Sequence, residues 1–137
     1  MRDEGDDAPV LLYLAAEDVI ALHADIFDCS VEEASDQLRN PNGLDGAVTR
    51  PLTHARYAGA DVALQAAVLA HGIAESQLFI DGNKRTAMMA MLTFLDVNGW
   101  QVTADDAALA GWILDLAHGL SAEDLAGRLR DVLTEES

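Results

Sequence analysis

Between Asp61 and Glu75 the chain reads DVALQAAVLAHGIAE, and from Asn83 to Asn98 it reads NKRTAMMAMLTFLDVN. The first stretch is apolar on nearly every face, which a surface helix is not, so it must be enclosed by other elements. The second is a further apolar helix, and Gly99 stands where a helix C-terminal glycine belongs. Two such helices joined by the short segment SQLFIDG constrain the chain to a helical bundle with this pair at its centre.

The remaining sequence supplies helices to surround them. Leu14, Val19, Leu22 and Ile26 recur at three to five residues and predict a helix over Leu14 to Phe27. Asn40 followed by Pro41 reads as an N-cap and first helical residue, opening a short, weak helix that stops before Pro51. The stretch VTRPLTHARYAGA reads as a loop, and Thr103 to Asp106 and Ser121 to Asp124 read as capping boxes. Ala and Leu dominate while β-branched and aromatic residues are few, and WQV is the one strand candidate. The expected fold is all-α, a bundle of about six helices. Residues 1–9 are expected to form an acidic flexible tail and residues 10–137 a single domain.

Charge narrows the function classes. The chain has 24 acidic and 8 basic side chains, a formal net charge of −16. That excludes broad nucleic-acid or anionic-membrane binding, which needs basic patches. The acidic N-terminus is the opposite of a secretory leader, and no uncharged run reaches the roughly 18 residues of a membrane helix. Cys29 is the only cysteine, so no internal disulfide forms, and the expectation is a cytoplasmic protein.

Against that charge, Lys84 and Arg85 sit side by side at the head of an apolar helix. The first N–H groups of a helix lack intrahelical partners, and the macrodipole adds about half a positive charge there. A helix opening at GNKR therefore offers an anion seat. Gly82 permits a tight turn and close approach to the backbone, and Arg85 can fork onto phosphate oxygens. Asp81 beside a phosphate is repulsive unless a cation bridges them, which is how Mg²⁺ is commonly held. The plainer alternative makes Asp81 a helix-end charge and Lys84 and Arg85 a solvated first turn. Yet cations there oppose the dipole by about 0.3–1 kcal/mol each. A P-loop is excluded because Arg85 follows Lys84 where Ser or Thr is required.

The stretch FIDGNKRTA resembles the signature of the Fic/Doc superfamily, and Lys84 makes it similar to the Doc branch, H-x-F-x-D-x-N-K-R. Fic proteins carry glycine at the lysine position. The blocks LLYLAAEDVIALHADIF, LRNPNGLDGAVTRP and FLDVNGWQVTADD resemble Doc segments in the same order. The resemblance implies a helical fold with the motif at the N-terminus of a buried central helix. It also implies a toxin of a toxin–antitoxin pair that transfers the ATP γ-phosphate to a threonine of elongation factor Tu. By the same carry-over Phe79 anchors the loop, Asp81 holds Mg²⁺, and Gly82, Asn83, Lys84 and Arg85 form the nucleotide-phosphate site. An antitoxin is the implied protein partner.

Where the Doc pattern has its catalytic histidine, this chain has Gln77. An imidazole can take the proton of the acceptor hydroxyl near working pH; an amide cannot. The neighbours depart too, with Glu75 in place of a basic residue and Leu78 in place of a proline. His71 and His54 are the substitute bases considered, the first turned to another helix face and the second in the expected loop. Two functions follow: a Doc-like phosphotransferase weakened at Gln77, or a non-catalytic nucleotide- or antitoxin-binding module. AMP transfer is a minor third, disfavoured by Lys84.

Overall fold

The computed structural model describes residues 11–136, so the expected acidic tail lies outside the described residues. Seven helices occur among them: α1 (Ala16–Phe27), α2 (Val31–Asp36), α3 (Pro41–Ala58), α4 (Val62–Glu75), α5 (Asn83–Val97), α6 (Asp106–Ala117) and α7 (Ala122–Arg130). A two-stranded antiparallel ribbon, β1 (Trp100–Val102) with β2 (Leu133–Glu135), pairs Gln101 with Thr134. The WQV segment is thus a strand, and its partner comes from beyond α7.

The apolar stretch that demanded enclosure is enclosed. Ten of the 14 residues of α4 are buried, and the helix packs against α3, α5, α6 and α7. Small side chains set the α3–α4 crossing: a Cβ added at Gly72 would lie 3.0 Å from that of Ala47. The second central helix, α5, buries Ala87, Ala90, Met91, Phe94 and Leu95 against α4 and α1. Phe79, Phe94, Leu69, Ile73 and Met91 are among the largest fully buried side chains of the core.

Two expectations about local structure are corrected, and one helix is added to them. The helix opening at Asn40 runs through Pro51 to Ala58, so VTRPLTHARYAGA is mostly helical. Proline removes one backbone donor but leaves the helix open to continuation when packing supports it. Leu44, Ala47 and Pro51 lie on one buried face, and that burial carries the helix past the proline. The short α2 went unread, although Ser30 and Glu33 form a reciprocal capping box at its start. Finally, α6 is capped by Asp105, which accepts from the Ala108 N–H at 2.8 Å, while the Thr103 hydroxyl donates to the Val132 carbonyl at 3.1 Å. The Ser121 cap stands as read, accepting from the Asp124 N–H at 3.0 Å.

Candidate phosphate site at the head of helix α5

The segment between α4 and α5 is shaped from both sides. The Asn40 side chain caps α3 through its oxygen and donates from Nδ2 to the Ser76 carbonyl at 3.0 Å, holding the end of α4. Leu78 and Phe79 are then drawn inward, 0% and 2% exposed. Their backbone pairs with the segment before α3: the Arg39 N–H donates to the Leu78 carbonyl at 2.7 Å, and the Ile80 N–H to the Gln37 carbonyl at 3.0 Å. Phe79 is therefore core, as read.

Asn83 fixes the loop from the helix side. Its Oδ1 accepts from the Phe79 N–H and its Nδ2 donates to the Phe79 carbonyl, both at 2.9 Å. The side chain carried over as a phosphate contact is thus engaged at both ends with the loop backbone. Its backbone N–H is what remains to offer a ligand. Gly82 adopts φ +79° and gives α5 no side-chain cap. A Cβ there would lie 2.5 Å from the Phe27 ring, so both conformation and space demand glycine. The N–H groups of Asn83, Lys84 and Arg85 meet no acceptor among the described residues. Lys84 and Arg85 are exposed, and neither makes an ion pair among the described residues.

These groups surround a cleft of about 440 Å³ lined by Gln77, Asp81, Gly82, Asn83, Lys84 and Arg85, with Phe27, Ala74 and Ile80 completing the wall. A larger cavity of about 690 Å³ lies near the other end of α5, against Tyr13, Trp100 and Arg130, and contains none of the motif side chains. Polarity separates the two. The smaller cleft gathers open amides, two cations and a carboxylate, which is the chemistry of an anion seat. Asp81 is exposed there, with Oδ1 accepting from the Gly82 N–H at 2.8 Å. One carboxylate beside a phosphate seat suits Mg²⁺, which takes few protein ligands and shares phosphate oxygens.

Gln77 is exposed on the cleft with φ +50°, a left-handed conformation that costs a non-glycine residue roughly 1–2 kcal/mol. Its amide accepts and donates hydrogen bonds but does not titrate. Neither substitute base joins it. His54 lies within α3, its Nδ1 3.0 Å from the Arg50 carbonyl, and is not in a loop. His71 Nε2 lies 3.2 Å from the Glu75 carboxylate, one turn along α4, and neither side chain lines the cleft.

The histidine that does approach the motif is one the sequence reading passed over. His23 of α1 is 1% exposed, and its ring stacks on that of Phe79 at 3.8 Å and 6°. Its Nδ1 lies 3.1 Å from Thr86 Oγ1, and Phe27 packs against it with ring centroids 4.8 Å apart. Burial holds its pKa below the ordinary histidine value, partly offset by the Asp81 carboxylate. Its place four residues after Val19, on the same face of α1, was the available signal.

A family model described as Fic/DOC family matches residues 13–95, which span the chain from before α1 through most of α5. The chain belongs to the Fic/DOC family. A curated relative, Toxin Doc of Mycolicibacterium smegmatis (strain ATCC 700084 / mc(2)155), is 37% identical over 97 residues, 68% of this chain and 69% of that protein. Membership on the Doc-like side agrees with Lys84 in the motif and with the helical fold around α4 and α5.

Proposed function

We propose that this chain is a Doc-like toxin, a protein Ser/Thr phosphotransferase using ATP and Mg²⁺ whose chemical step is slowed at Gln77. The observation that carries the reading is the gathering of Asp81, Gly82, Lys84 and Arg85 around an uncapped helix N-terminus in one cleft. A kinship with a protein named Toxin Doc supports the toxin class, with an antitoxin as partner. By family resemblance the acceptor is a threonine of elongation factor Tu in the cytoplasm.

In this reading the backbone amides of α5 and the Lys84 and Arg85 side chains hold the nucleotide phosphates. Asp81 is the residue that would hold Mg²⁺, which when bound neutralises phosphate charge. The acceptor hydroxyl oxygen attacks the γ-phosphorus, the bond to the bridging oxygen breaks, and ADP leaves. The hydroxyl proton then passes to solvent, because Gln77 can orient the hydroxyl but cannot take its proton. Loss of general-base help typically costs about 10²–10⁴-fold.

Gln77→His tests this directly. Radiolabelled phosphate transfer to elongation factor Tu should rise about 10²-fold or more, and expression of the variant in bacteria should slow growth where the native chain is tolerated. Glu75 is engaged with His71 and does not line the cleft, so it needs no companion change. A second reading, a binding module without catalysis, draws on the absence of any histidine among the cleft-lining residues. A Gln77→His protein that binds Mg-ATP and labels nothing decides for it.

A further inference from the structure

We propose that His23 is a positioning residue of the phosphate seat, joining the loop before α5 to the first turn of that helix so that both meet a ligand as one piece. This rests on the phosphate-seat reading above. A single imidazole from α1 touches the site at two points and flanks it at a third. Its face lies 3.8 Å from the Phe79 ring and nearly parallel to it. Its Nδ1 lies 3.1 Å from Thr86 Oγ1. Its Cε1 would lie 3.4 Å from a Cβ built on Gly82.

Each point belongs to a different part of the seat. Phe79 is the residue whose backbone Asn83 clasps, so the ring beneath it fixes the height of the loop. Gly82 is the turn itself. Thr86 follows Arg85 directly, and its N–H donates to the Gly82 carbonyl at 2.9 Å, closing the first turn of α5. His23 and Thr86 are 1% and 0% exposed. A core that needed only volume here would be filled by two apolar side chains, because buried polar groups stabilise only when they are paired. The His23–Thr86 bond instead adds direction, which packing alone does not supply. Ligand groups placed by rigid support bind more tightly than groups free to drift by an ångström.

Simple core filling and positioning differ in what they do to affinity. His23→Phe keeps a ring to stack on Phe79 and loses the hydrogen bond; Thr86→Val keeps the shape and loses the hydroxyl. With Mg-ATP in calorimetry, each variant should bind about tenfold more weakly, the equivalent of one hydrogen bond. The double variant should be no weaker than either single one, because both remove the same link. Thr86→Ser, which keeps the hydroxyl, should recover the affinity that Thr86→Val loses. Native affinity in folded Thr86→Val overturns the proposal, as does a double variant whose losses add. If His23→Phe does not fold, Thr86→Val against Thr86→Ser still decides.

A ligand-free measurement separates this from the phosphate reading. Amide exchange at Phe79, Ile80 and Arg39 should quicken about tenfold in Thr86→Val if the link holds the loop. Unchanged exchange overturns the proposal. A native chain that binds no nucleotide overturns the phosphate seat instead, and the exchange result then stands on its own for His23.

Discussion

Helices α4 and α5 are neighbours in the core, yet their N-termini are finished in opposite ways. At α4, Asp61 accepts from the Leu64 N–H at 2.9 Å. Its carboxylate is also gripped by Arg130, through Nε at 2.8 Å and Nη2 at 3.0 Å. One carboxylate thus meets a first-turn donor, the helix dipole and a cation, all within the chain. At α5 the cap position is Gly82 with no side-chain bond, and the first turn carries Lys84 and Arg85, whose charges the dipole opposes. One helix start is closed by its own carboxylate and a distant arginine. The other leaves its first N–H groups and its charges open among the described residues, as the proposed phosphate seat requires, and the strained Gln77 backbone lies on the same cleft.

The largest test of that contrast is Arg85→Ala. A charge-assisted fork to phosphate is worth roughly 1.5–3 kcal/mol, so calorimetry should show Mg-ATP affinity falling at least about tenfold. Arg130→Ala should leave that affinity alone, since Arg130 faces Asp61. Equal affinity in native and Arg85→Ala protein would break the comparison.

Next in size is Asp61→Ala, expected to cost about 1 kcal/mol in denaturant melts, the usual worth of an N-cap. The Arg130 hydrogen bond is the largest cause of a lowered Asp61 pKa, with the Leu64 N–H helping and burial opposing. A carboxylate lowered on folding contributes fully above its unfolded value of about 3.9 and loses that contribution as pH falls through the folded value. The melting-temperature gap between native and Asp61→Asn protein should therefore be constant near neutrality and close below about pH 4. A gap that widens in acid would contradict the assignment.

The smallest effect has the opposite sign. Gln77→Gly relieves a left-handed residue and should stabilise the fold by up to about 1 kcal/mol in thermal or denaturant melts. No gain would mean that Gln77 is held by contacts that offset its backbone strain.

Much of this was legible in residue order. The caps at Asn40 and Ser121 follow from local chemistry, as does the start of α5 at GNKR, because a helix terminus is a local object. The passage of α3 through Pro51 was not legible: proline's local cost is read from sequence, whereas the burial of Leu44, Ala47 and Pro51 that outweighs it is not. Asn83 shows the same division. The family resemblance assigns it to the phosphate site, whereas the fold turns its side-chain amide back onto Phe79.

Residue order alone makes α4 and α5 central, makes the chain helical, and puts Gly82, Lys84 and Arg85 in one turn. Those depend on apolar content and on spacings of a few residues, which set local geometry directly. Long-range packing is what brings Arg130 to the start of α4 from 69 residues away, and what lays His23 under Phe79 within bonding distance of Thr86. Partners this distant in the chain meet through the packing of several helices at once, and no local pattern encodes that meeting.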